Sequence, residues 1–280
     1  SISYKNFYLF EGMGIISHIG GRACAMIAFC IFQLETSIHQ DTETPLLTFP
    51  LNTPHLQGNL DTQFPCSIAI PSPDQNTQIA TGDTAFGFVA QHSLEVQFGD
   101  KKHLLTSGMY FSLPGPATLS GFHGFLAIRH GFSGMFNCGG PIENVGRLKY
   151  IDGCSDSLLL APMLKGDACF NFLYVPPGID QTAHTHPSAR IGMVVSGEGY
   201  CLTEGRKNPL VAGTAFVLEV DEIHSFHTDQ NHLRIVVFHP DSDFGPTHEI
   251  HPMVNRSYVN GVSLQGENNY RTLEILEFVQ

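Results

Sequence analysis

Four side chains in the second half of this chain have the types and the spacing to do chemistry. His184 and His186 stand one residue apart in TAHTHPSARIG, Arg190 follows, and His224 lies in DEIHSFHTD. In an extended segment, side chains at i and i+2 point to one face. Two inward imidazoles lose their water, and one divalent metal ion satisfies both. A third ligand must come from a neighbouring strand, and His224 closes the strand that follows the Gly213 turn. Imidazole suits iron, zinc, nickel and copper alike, so three histidines do not select a metal. Arg190 cannot bind a cation, but its planar fork can hold a substrate carboxylate through two parallel hydrogen bonds. The competing reading of Arg190 is an ion pair with Glu198, Glu219 or Glu222.

The elements around these residues read as short antiparallel strands. IGMVVSG (191–197), GYCLTEG (199–205), TAFVLEV (214–220) and LRIVVFH (233–239) are rich in β-branched and aromatic residues and bounded by Gly, Pro or Asp. Evenly spaced short strands predict a sandwich or jelly-roll barrel.

The chain also resembles itself at an offset of 105. QHSLEVQFGDKKHLLTSG (91–108) lies over SGEGYCLTEGRKNPLVAG (196–213), and GMYFSLPGPATL (108–119) lies over GTAFVLEVDEIH (213–224). The shared pattern of turn, strand, Gly-rich turn and strand predicts two barrels. The division is an N-terminal extension over 1–44, a first barrel over 45–140, a second over 141–250 and a closing segment over 251–280. At that offset His184 falls on Ile79, His186 on Thr81, Arg190 on Ala85 and His224 on Leu119. The first copy does without these polar groups, so the fold does not require them. That contrast assigns them to chemistry, and leaves the first barrel a structural role, covering one face of the second or an oligomer interface.

These motifs resemble the cupin superfamily, and the repeat resembles a bicupin, two double-stranded β-helix barrels in one chain. The first cupin motif is a Gly, five residues, H-x-H, three or four residues, Glu, six residues, Gly. Here Gly178, His184, His186, Arg190 and Gly197 keep that spacing, with Arg190 in place of the Glu. The second motif keeps Gly213 and His224, while Glu219, Asp221 and Thr228 replace its Pro, Gly and Asn. The resemblance implies metal ligands at His184, His186 and His224, with Fe(II) first and Zn, Ni or Mn as alternatives. It implies a dioxygenase of a small anionic substrate oriented by Arg190. Two other functions fit: a metal-dependent isomerase, epimerase or lyase of a small acid or sugar, and a binding cupin without catalysis. It also implies a monomer or homodimer.

Bulk composition excludes other classes. The net charge is −12 and no basic run exceeds Lys101-Lys102, so a nucleic acid is repelled. Seven scattered cysteines contain no C-x-x-C, which predicts a reducing cytoplasm with most of the thiols in the core. The apolar run at 23–34 is too short to span a bilayer and is read as a buried helix or strand. His227 is expected to be exposed or to stand beside the site rather than in it, and His239, His248 and His251 in loops. Cys169 and Cys201 are expected in the core, Tyr200 and Phe216 in packing, and Glu222 in a solvated turn.

Overall fold

The computed structural model describes residues 46–248, 250, 251, 253 and 257–263. The apolar run at 23–34, the extension over 1–44 and most of the closing segment lie outside these residues. The first half carries β1 (Leu47–Pro50), β2 (His55–Gln57), β3 (Cys66–Ile70), β4 (Thr77–Ile79), β5 (Thr84–Gln91), β6 (Ser93–Phe98), β7 (Lys101–Thr106), β8 (Tyr110–Pro114), β9 (Ala117–Ser120), β10 (His123–Arg129) and β11 (Asn137–Gly139). The second half carries β12 (Leu148–Lys149), a 3-10 turn at Ile151–Gly153, β13 (Ser155–Leu160), β14 (Cys169–Val175), β15 (Arg190–Thr203), β16 (Arg206–Val211), β17 (Thr214–Leu218), β18 (His224–His227) and β19 (Leu233–His239). A short pair follows, β20 (Tyr258–Val259) and β21 (Val262–Ser263). The described chain is all-β, as the even spacing of turns predicts.

One sheet of the first half runs β11-β8-β5-β10-β3-β2, and another runs β4-β9-β6-β7. The second half builds a sheet ordered β1-β17-β15-β19-β14-β13-β12, with β16 and β18 also on β15. The two halves repeat one register. Ala85 pairs with Leu113 in the first half, and Arg190 pairs with Leu218 in the second, each 105 residues on. β1 precedes the first half's sheets in sequence but pairs with β17 of the second half, Leu47 opposite Val217.

β15 is one continuous strand where the sequence suggested two. Its start pairs with β17 and its end with β16 and β18, so it passes from one sheet to another. The pairing slips between Val194 and Ser196, and Gly197 bends the chain at φ +86°. A Cβ at Gly197 would stand 1.8 Å from the His232 carbonyl oxygen, so only glycine fits.

Alternation along these strands divides the buried side chains into three sets. Ile79, Ala85, Leu113 and Leu119 belong to an apolar filling within the first half. Val194, Phe216, Leu218, Ile235 and Val237 belong to a second filling within the other half. The residues between them on the same strands, Ile191, Met193, Val217, Val236 and Phe238, pack against Ile68, Phe86, Phe88 and Phe125 of the first half. The first half thus covers one face of the second, the role its lack of polar groups suggested. No helix among the described residues is long and apolar enough to cross a membrane.

Phe238 is fully buried in this shared layer, 4.9 Å from Phe86 between ring centroids. Phe238→Ala is expected to cost about 3–5 kcal/mol of stability in denaturant unfolding. Leu56→Ala, at a side chain 69% exposed, is expected to stay within about 0.5 kcal/mol of the parent.

Candidate metal centre

His184, His186 and His224 converge from two segments. The segment 181–189 is an extended arm rather than a strand: His184 pairs with His224 by two backbone hydrogen bonds of 3.0 Å, and no ladder continues. Pro187, which lacks an N–H, stops pairing directly after His186. The arm is held in other ways. Gln181 accepts from the Phe226 N–H at 3.0 Å, and the Asp221 N–H donates to the His186 carbonyl at 2.8 Å. Thr228, at the motif's Asn position, accepts from the Ile179 N–H and donates to the Pro176 carbonyl. Asp221 stands at the motif's Gly position with φ +59°, a left-handed conformation that Asp tolerates better than most residues. That substitution therefore keeps the turn into β18.

The donor atoms of the three imidazoles lie within 4.8 Å of one another. Their ring centroids are 4.5 Å apart for His184 and His224, and 5.1 Å for each pair with His186. His184 Nδ1 donates to the Thr182 carbonyl at 3.0 Å, and His224 Nδ1 to the Glu222 carbonyl at 2.9 Å. Each bond fixes the tautomer and leaves Nε2 with its lone pair. His224 Nε2 is buried without any partner. Burial first, then Arg190 and the other two histidines, pushes His186 down to about 3. Burial also pushes His224 down to about 4. Both rings are neutral at pH 7, the form that binds metal. Three clustered imidazoles, two of them held neutral by burial and one with an orphaned nitrogen, are a donor set that fits one divalent transition metal.

Arg190 lies on the wall of the same cavity, which measures about 80 Å³. Its Nη1 donates to the Ser188 carbonyl at 3.0 Å and the Ala189 carbonyl at 3.1 Å, and stands 3.7 Å from Asp241 Oδ1. Its acidic partner is thus Asp241, and not Glu198, Glu219 or Glu222. Glu222 instead accepts the Glu219 N–H at 2.8 Å within its own turn, as a turn residue should. Arg190 Nε is buried without a partner. Asp61 of the first half accepts the Ala189 N–H at 3.0 Å, and Arg129 donates to the Pro240 carbonyl at 3.3 Å. The first half therefore fastens the residues beside both members of the Arg190–Asp241 pair.

Several residues at the site carried no signal in sequence spacing. Asp156 on β13, Asn171 on β14 and Tyr150 all line the cavity. His239 does too, and its loop assignment is corrected: it ends β19, opposite Cys169. Burial holds the His239 ring well below its usual value. Burial pushes the Asp156 carboxyl up to about 6, against the opposing hydrogen bond from Asn171. Phe216 is both packing and cavity wall. His227 lies outside the triad: it stacks on Tyr200 at 4.9 Å, with Nδ1 2.6 Å from Asp180 Oδ1. Cys169 and Cys201 are core thiols, pushed up by burial to about 11 and about 12.

The first half holds a Ser67–His130–Asp83 line, with contacts of 3.0 and 2.8 Å. Ser67 is only 3% exposed, too little for a substrate carbonyl to reach, so the line fastens strands.

The AraC-like ligand binding domain is a family whose model matches residues 176–259, the segment that carries all three histidines. No curated protein matches the chain in sequence. Solved structures match its fold. The cupin 2 conserved barrel domain protein from Leptotrichia buccalis aligns with a TM-score of 0.52 and 13% identity, over 70% of this chain and 97% of its own. Protein Ylba from E. coli aligns at 0.50 and 12%, over 74% and 98%. A variant of salicylate 1,2-dioxygenase from Pseudoaminobacter salicylatoxidans, bound to gentisate, aligns at 0.50 and 12%, over 76% and 79%. The chain has a cupin-type barrel fold. Within this fold the histidine triad lies at the motif positions, and the arginine takes the position of the motif's glutamate.

The lowered histidines make the metal-free protein sensitive to acid. His186 and His224 bind protons in the unfolded chain below about 6.5, but in the fold only near 3 and 4. Their contribution is present above about pH 6.5 and is lost as pH falls toward 4. Asp156 has the opposite sign: its raised value favours the fold at low pH, and this is lost as pH rises through about 6. Denaturation midpoints of metal-free protein are expected to fall from pH 7 to pH 4. The fall should be shallower in His186→Gln/His224→Gln and steeper in Asp156→Asn.

Proposed function

We propose that this chain is a bicupin whose second barrel, built around residues 141–250, is a mononuclear metal enzyme acting on a small anionic molecule. The observation that carries this reading is the orphaned nitrogen of His224 among three clustered imidazoles, two of them fixed from behind by backbone carbonyls. His184, His186 and His224 would hold the ion. Bound there, Fe(II) would supply oxygenation chemistry, whereas Zn, Ni or Mn would act as a Lewis acid toward a carbonyl. The chain's own residues do the rest. Arg190 retains a buried donor for a substrate carboxylate, and Asp241 and Ser188 hold the guanidinium in place. Phe216, Leu218, Phe226 and Val237 keep the wall apolar and limit water.

Iron-dependent dioxygenation of a small acid is one form of this function. The form favoured here is a non-redox reaction, because two observations support it. A cavity of about 80 Å³ is small beside the ~150 Å³ that holds a benzene ring. The wall also carries a carboxyl poised at about 6, where a proton can be taken and returned at neutral pH. The match to a ligand-binding family supports a third form, capture without turnover.

Elemental analysis of the purified chain is expected to find about one transition-metal atom per chain, lost in His184→Ala and in His186→Ala. Arg190→Ala should keep the metal and weaken a small carboxylate about tenfold or more in calorimetric titration. Unchanged affinity would remove Arg190 from substrate binding. Iron as the native metal, with oxygen uptake, would favour the dioxygenase form.

A further inference from the structure

We propose that Asp156 is the acid–base residue of the cavity, moving the proton on the carbon beside the carbonyl of a small 2-oxo acid. This rests on the reading of the site as a metal centre for a small anion. Among the residues lining the cavity, Asp156 carries the one carboxyl group. It projects from β13 at the pair with Leu173, and Leu173 also lines the cavity. Asn171 Nδ2 donates to Asp156 Oδ1 at 3.2 Å. Asn171 Oδ1 is buried and lacks a partner. A neutral carboxyl beside it can donate a hydrogen bond to that oxygen, and a carboxylate cannot. The pair therefore accommodates both protonation states, which a proton-transfer group needs.

Cavity size brings the groups onto one molecule. A cavity of about 80 Å³, below the ~150 Å³ that holds a benzene ring, suits an occupant of a few heavy atoms that reaches more than one wall at once. A 2-oxo acid presents a carboxylate to the unpartnered Nε of Arg190 and a carbonyl oxygen to the three-histidine face. The carbon next to that carbonyl is then left for Asp156. In the step, the C–H bond breaks and its proton passes to Asp156. The electron pair moves into the new C=C bond, and the carbonyl oxygen becomes an enolate. The reverse step returns a proton from Asp156 to carbon, so the balance closes without an oxidant or reductant.

The groups facing Asp156 hold their protonation states near neutral pH. Burial raises Tyr150 above its ordinary value and pushes Cys169 up to about 11, while Arg190 stays charged. His239 stays neutral because burial lowers it.

The test uses zinc-loaded protein with pyruvate in D₂O, following loss of the methyl proton signal by NMR. Metal content and pyruvate affinity are measured beside it, together with the infrared carbonyl stretch of a protonated carboxyl. Asp156→Asn is expected to keep its metal and its pyruvate affinity within about threefold, and to lose exchange by about 100-fold or more. The infrared band should titrate near pH 6 in the parent protein and vanish in the variant. Asp156→Ser is carried as a second variant, and thermal midpoints show whether each folds. Exchange at the parent rate in a folded variant would overturn the assignment. So would a zinc-loaded parent that exchanges no proton, or a band that survives in both variants. A parent that binds no metal fails the metal reading by its metal content, and the assignment of Asp156 falls with it.

Discussion

An imidazole taken out of water must stay neutral or find a partner, and three of them here meet in one small space. Their separation and burial hold His186 and His224 far below the ordinary histidine range. Neutrality has a structural consequence: each ring offers one donor and one acceptor nitrogen. The Thr182 and Glu222 carbonyls take the donors of His184 and His224, and the acceptors remain for the centre. Two backbone hydrogen bonds between His184 and His224 hold the arm and β18 together at this point. Arg190 adds a positive charge to the wall, which disfavours protonated rings further. The guanidinium itself is tolerable in the interior because Asp241 and two carbonyls compensate it.

The same strand pairing supports two different interiors. Where Arg190 lines a cavity in the second half, Ala85 opposite Leu113 closes the first with an apolar filling. Ile79 and Leu119, at the positions of His184 and His224, sit in that filling at 2% and 0% exposure. A half without a polar site still contributes to the site next door. It covers the outer face of the second half's sheet with aromatic and aliphatic side chains. It also reaches across with Asp61 and Arg129 to the backbone beside Arg190 and Asp241. Rigidity at a site comes from such support, because a loosely held charge loses its orientation.

Much of this was readable before any coordinates. Short β-branched runs between Gly and Pro specify strands because alternation and turn chemistry are local properties of the chain. The histidine triad was legible because H-x-H and the spacing from Gly213 to His224 are also local patterns. The division of β15 was not. Gly197 reads as a turn in sequence, yet in the fold it bends one strand between two sheets, since the His232 carbonyl packs against it. His239 was misread for a similar reason: Pro240 after it suggests a loop, but its pairing with Cys169 comes from a distant strand.

The sequence by itself determined the all-β character, the repeat, the three histidines and the arginine beside them. These rest on residue types at short, fixed spacings, which the chain carries wherever it folds. Tertiary structure alone decided that Asp156, Asn171, Tyr150 and His239 share the wall of that cavity, and that Asp241 rather than a glutamate partners Arg190. Those choices depend on which distant strands become neighbours and on how much water the packing removes. Burial, and not residue type, turns Asp156 from an ordinary carboxylate into a group that titrates at about 6.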